Sequence, residues 1–158
     1  MKVGITGSLS SGKSSVAKIL SKNKNLLFSA DKIVKDLYFH DQFKKKIKRR
    51  FKLKSRNIKN EIKIKLLKKE ISLKELSSMI HPFVRKKMKE FYKKNNKKTI
   101  IFFEIPLLIE SKLMNFFDFI ILVVAPRNKR LQRYLKSGGE KKIFHLLDKN
   151  QISAKKKI

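Results

Sequence analysis

Residues Gly7-Ser8-Leu9-Ser10-Ser11-Gly12-Lys13-Ser14 follow directly on the apolar run Val3-Gly4-Ile5-Thr6 and precede a helical pattern, Val16-Ala17-Lys18-Ile19-Leu20. A strand, a loop of the form G-x-x-x-x-G-K-S and a helix, in that order, confine the chain to an α/β fold whose first strand turns sharply into a helix N-terminus. Gly7 and Gly12 admit backbone angles closed to other residues and let the chain approach a phosphate closely. The loop amides form an anion nest, and the helix adds the positive end of its dipole. In this pattern Lys13 reaches the β- and γ-phosphates of a nucleoside triphosphate, and the Ser14 hydroxyl holds Mg²⁺. The motif specifies the ligand class and is silent on what accepts the phosphate.

The remaining pattern fits that frame. Leu26-Leu27-Phe28 reads as a short buried strand ending at Ser29-Ala30-Asp31. Ile33, Leu37, Phe43, Ile47 and Phe51 recur at helical spacing, which predicts one helix from Lys32 to about Phe51. Ser55–Asn60 reads as a loop and Ile62–Lys69 as helical, although Ile62-Lys63-Ile64-Lys65 alternates locally like a strand. Ser72-Leu73-Lys74-Glu75 is a capping box that opens a long helix through Ile80, Val84, Met88 and Phe91, with Pro82 expected to kink or restart it. Thr99–Glu104, apolar on both faces, reads as a central parallel strand. Then come a short helix at Ser111–Phe117, a buried strand at Phe119–Ala125 ended by Pro126, and helices at Asn128–Leu135 and Glu140–Gln151 around Gly138-Gly139. Strands alternating with helices predict a three-layer α/β sheet as a single domain. Its core is 1–34 and 99–126, a helical insertion spans about 35–98, and a helical lid spans about 127–150.

Composition limits the partners. With 42 Lys+Arg against 12 Asp+Glu in 158 residues the formal net charge is +30, which taken alone suggests nucleic acid or an anionic surface. The excess is mostly lysine, accompanied by many Ile, Asn and Phe and few Ala and Gly, a set with AT-rich codons. The basic residues are dispersed, and no aromatic nucleic-acid motif lies among them. Binding of nucleic acid is therefore expected only as a non-specific consequence of charge. The absence of cysteine excludes disulfides, thiolate metal sites and a cysteine nucleophile. The chain enters a strand within two residues, leaving no room for a signal peptide. The longest apolar runs, Ile100–Phe103 and Phe119–Ala125, are too short to span a bilayer. A cytoplasmic, monomeric protein with no membrane association is expected.

Phosphoryl transfer needs a phosphate cradle, Mg²⁺, a base for the acceptor hydroxyl, and cations over the transferring group. Asp31 follows the second strand, at the carboxyl edge of the sheet where ligands bind. It can accept a hydroxyl proton or bind an acceptor sugar, and from spacing alone it is equally a helix N-cap for Lys32–Tyr38. Glu104 ends the central strand, where such folds carry a carboxylate for the Mg²⁺ water shell. Glu110 reads as a supporting or surface residue. Arg127, Arg130 and Arg133 stand out in a lysine-rich chain, and Arg130 and Arg133 share one helix face. Bidentate contact with phosphate suits arginine, though a solvated helix face explains the same pattern. His81 beside Pro82 can be a ligand, and helix capping or packing is its plainer role.

Four segments, in order, resemble dephospho-CoA kinases: Gly4-Ile5-Thr6-Gly7 through Ser15; Ser29-Ala30-Asp31-Lys32-Ile33-Val34; Leu76 with Ile80-His81-Pro82; and Glu104-Ile105-Pro106-Leu107-Leu108-Ile109-Glu110. The His-Pro and Pro-Leu-Leu-x-Glu pieces distinguish this family from other small phosphate-loop kinases. The resemblance implies ATP-dependent phosphorylation of the ribose 3′-hydroxyl of dephospho-CoA, the last step to coenzyme A. It implies nucleotide contacts at Ser10, Ser11, Gly12, Lys13, Ser14 and Ser15, which join Gly7 of the loop and the Mg²⁺ positions Ser14 and Glu104 (partly through water) read above from the motif and the strand end. Asp31 matches the family's base and Arg133 the first lid arginine, with Lys13 as their catalytic companion. Acceptor contacts are implied at Asp31, His81, Pro106, Leu107 and Glu110, and Gln151 is similar to the family's glutamine after the lid. Ser29 stands where the family has an aspartate, Lys35 where an arginine is usual, and Ser137 at the second lid arginine. The family continues beyond Ile158 into a further strand, without which an exposed sheet edge is expected. Two alternatives remain open at the level of sequence: another small-molecule kinase, or a basic nucleic-acid-binding protein with a vestigial nucleotide site.

Overall fold

A computed structural model describes residues 1–22 and 26–157, and the expectation about the chain after Ile158 lies outside them. Strand β1 (Lys2–Gly7) is buried from Val3 to Gly7 and is paired along both edges. On one side lies β3 (Ile101–Glu104), on the other β4 (Phe119–Val123), and β2 (Leu27–Ser29) pairs with the far edge of β3. All three pairings are parallel, giving the order β2-β3-β1-β4. The register sets Ile5 opposite Glu104 and Gly7 opposite Val123, so the carboxyl ends of β1, β2 and β3 share one rim. Helix α1 (Lys13–Leu20) leaves that rim after the loop. The fold is α/β, as expected.

Two units emerge from the contacts: Met1–Asp31 with Met88–Ile158, and Lys32–Lys87. In the first, Phe103 is fully buried in an aromatic cluster, its ring 5.5–6.0 Å from those of Phe28, Phe91, Phe116 and Phe117. Burial of that much aromatic surface helps hold helix and loop segments to β3. The second unit is helical, with Phe43, Ile47, Phe51, Ile58 and Ile62 buried at helical spacing and Phe43 edge-on to Tyr38 and Phe83.

Several expectations are corrected. The helix foreseen from Lys32 to Phe51 is two: α2 (Ala30–Leu37) and α3 (Asp41–Phe51), with His40 extended between them. Leu37 to Phe43 is a step of six, too long for one helical stripe. Helix α4 (Ile58–Leu67) begins inside the foreseen loop, capped by Asn57, whose side chain accepts from the Asn60 amide. The Ser72–Glu75 box forms reciprocally, and α5 (Leu73–Asn95) runs through Pro82 without restarting. Residues Ser111–Phe117 give only a single 3₁₀ turn, Met114–Phe116. Strand β4 is an edge, not a buried strand: only β1 flanks it among the described residues, and Phe119 is 62% exposed. Helices α6 (Arg127–Lys136), α7 (Lys141–Lys149) and α8 (Ala154–Lys157) complete the chain, with Gly138 in the left-handed region at the α6–α7 turn.

Candidate active site

The loop between β1 and α1 is built on three positive φ angles: Gly7 at 152°, Ser10 at 58° and Gly12 at 102°. A Cβ on Gly7 would lie 2.2 Å from the Val123 carbonyl oxygen, so close pairing with β4 requires glycine there. The Ser11 amide donates to Ser8 O (3.1 Å), and the Gly12 carbonyl accepts from Ser15 and Val16 (both 3.1 Å), joining loop to helix. Lys13 folds back over the loop and donates to Ser8 O at 2.8 Å. Its side chain is buried, and burial pushes the ammonium below its ordinary value. The Asp31 and Glu104 carboxylates oppose that shift, while Lys157 and Arg130 add to it. An unusual concentration of charge therefore surrounds Lys13.

Glu104 is buried at the end of β3, where burying a carboxylate is tolerable only with donors. It has two: Ser14 donates to Oε1, and Ser29, at the end of β2, donates to Oε2 at 2.9 Å. Thr6, on β1, donates to the Pro106 carbonyl (3.1 Å), fixing the turn after β3 on which Pro106 and Leu107 sit half-buried. Asp31 is exposed in the first turn of α2; the helix begins at Ala30, so Asp31 is inside it and not its cap. Glu110 is mostly buried, accepting from the Ile152 amide at 3.1 Å and pairing with the buried Lys157 ammonium at 2.7 Å. His81 lies half-buried in α5 within the Lys32–Lys87 unit, its pKa lowered by burial and by Arg85.

The two arginines read as one face part company. Arg130 is buried, bonded to Asp148 Oδ1 (2.6 Å), Ala125 O (3.2 Å) and Leu9 O (3.3 Å), with its guanidinium 5.7 Å from the Phe144 ring centre. Burial alone would raise the Asp148 carboxyl, but its bonds to Arg130 and Arg127 hold it below the ordinary value. Arg133 is exposed and donates to the Ser11 carbonyl at 3.1 Å. Loop, Glu104 and both arginines thus meet at one rim of the sheet. Sequence reasoning gave no role to Ser29, Asp148 or Lys157. Only Ser29 carried a signal, as a departure at an aspartate position.

A family model described as dephospho-CoA kinase matches residues 1–158. The chain belongs to the dephospho-CoA kinase family. A dephospho-CoA kinase of Fusobacterium nucleatum is 32% identical over all of this chain and 84% of its own length. One of Ehrlichia canis is 34% identical over 95% of this chain and 78% of its own. The crystal structure of TT1252 from Thermus thermophilus matches with a TM-score of 0.80 at 25% identity, covering 99% of this chain and 83% of that one. Family membership makes ATP a substrate and coenzyme A synthesis the setting.

Proposed function

We propose that this dephospho-CoA kinase family member transfers the γ-phosphoryl group of ATP to the ribose 3′-hydroxyl of dephospho-CoA. The observation that supports it most is the convergence of Lys13, the Ser14–Glu104 pair and Arg133 on the loop at the carboxyl rim of the sheet. Charge stabilisation and positioning supply nearly all of the catalysis in such reactions. Asp31 takes the proton of the attacking 3′-hydroxyl. The oxygen then forms a bond to the γ-phosphorus as the bond to the β-phosphate bridging oxygen breaks, leaving ADP. Lys13 and Arg133 leave the loop carbonyls that now hold them and turn to the phosphates. Asp31, Pro106 and Leu107 line the acceptor side.

Ser14 and Glu104 suit Mg²⁺. They juxtapose two hard oxygen donors, and the described residues hold no cluster of three His, Cys, Asp or Glu. An ion that keeps its waters and takes phosphate oxygens needs no fuller protein cage. When bound, the ion neutralises charge on the phosphates. We also read the protein as a cytoplasmic monomer; no helix among the described residues is long and apolar enough to cross a membrane. ADP release measured with dephospho-CoA and with a panel of nucleosides tests the reading. ADP release stimulated by dephospho-CoA alone is expected, and stimulation by a nucleoside but not by dephospho-CoA would refute it.

A further inference from the structure

We infer that Gln151, together with the Arg130–Asp148 pair, is a positioning device that sets the conformation of the phosphate loop by gripping both sides of the Leu9 residue. The inference rests on the proposed ATP site and concerns residues that touch no phosphate in that reading. Leu9 precedes Ser10, which holds φ at 58° without being glycine or asparagine. An L-residue is disfavoured there by roughly 5- to 30-fold, so neighbouring structure must impose it.

The neighbours are in place. The Leu9 amide donates to Gln151 Oε1 at 2.9 Å, and the Leu9 carbonyl accepts from Arg130 Nη1 at 3.3 Å. Both grips are themselves fixed. Asp148, the Ala125 carbonyl and the Phe144 ring immobilise Arg130, and Arg127 bonds the other oxygen of Asp148 at 2.9 Å. On the Gln151 side, the next residue's amide, that of Ile152, is tied to Glu110 at 3.1 Å. With its amide and carbonyl both hydrogen-bonded, Leu9 is biased to this orientation, which favours the turn through Ser10. The loop's shape is therefore supported from α6 and from the segment after α7.

Gln151→Met keeps the length of the side chain and removes the acceptor. Gln151→Asn keeps the amide but is one methylene too short, and Gln151→Glu restores the acceptor. One lost hydrogen bond corresponds to roughly 2- to 10-fold. Calorimetry should show ATP affinity weakened by that factor in the Met and Asn variants. The ATP KM should rise in parallel, with the dephospho-CoA KM unchanged and the Glu variant near wild type. Amide exchange at Leu9 should quicken by the same factor. Wild-type protein that binds ATP, alongside Met and Asn variants that bind it equally well, would overturn this inference alone. So would an equal rise in both KM values, which marks a general loss of structure. Wild-type protein that binds no ATP would overturn the proposed function and this inference with it.

Discussion

Gly7→Ala is predicted to destabilise the protein far more than the same change at Gly138. Both glycines have positive φ, 152° and 83°, but their surroundings differ. A Cβ at Gly138 meets nothing within 4 Å. Its cost is therefore the left-handed conformation alone, about 1–2 kcal/mol. At Gly7 the new carbon would lie 2.2 Å from Val123 O and 2.9 Å from Ser11 Oγ. Val123 is the register partner of Gly7, so relief requires prising β1 from β4. Backbone strain of about 1–3 kcal/mol and overpacking of about 1–3 kcal/mol add to about 2–6 kcal/mol. For a chain of this size each kcal/mol lowers Tm by about 2–4 °C. Denaturant unfolding of both variants, with the slope held constant, compares the two costs directly. Gly7→Ala no less stable than Gly138→Ala would refute the reasoning.

Lys13→Ala should lower kcat/KM for ATP by roughly 10²- to 10³-fold without lowering Tm, because it removes a charge whose burial is unfavourable. Burial depresses the Lys13 pKa, so the unfolded chain holds that proton to higher pH than the folded one. Stability should therefore rise as pH climbs from the folded value towards the ordinary lysine value, while ATP affinity falls across the same window. Melting and binding titrations against pH, with Lys13→Ala as the flat control, check both signs. Asp31→Asn should reduce kcat by roughly 10²- to 10⁴-fold and leave ATP affinity intact; kinetics and calorimetry together separate the two. Glu104→Gln should raise the Mg²⁺ concentration for half-maximal activity by roughly 10- to 100-fold, with metal-free ATP binding unchanged.

What could be read from the chain was what depends on neighbours in sequence. The loop motif and the Ser72–Glu75 box are local, and both formed as their spacing required. The break at His40 was also local, visible in the six-residue step from Leu37 to Phe43, but helical propensity masked it. An exposed sheet edge was expected, but not that Phe119–Ala125 forms it, because apolar content does not say which strand lies at an edge. Arg130 and Arg133 look alike along α6. Only Asp148, supplied by another helix, makes one a buried anchor and leaves the other at the surface. The bond between Leu9 and Gln151 joins residues 142 positions apart, and no periodicity reports such a contact.

The strand order has a consequence for how the protein is made. Every strand pairing among the described residues is parallel, so none of these closes as a hairpin. β1 is translated before the strands it pairs with, so Lys2 waits for Ile101 and Val3 for Phe119 before either has a partner. At ribosomal speed that interval is on the order of ten seconds. The helices within Lys32–Lys87 depend on nearby residues and can form meanwhile. Strand β1 is thus among the last elements to settle, and the loop that follows it takes its final place only once the sheet is nearly complete.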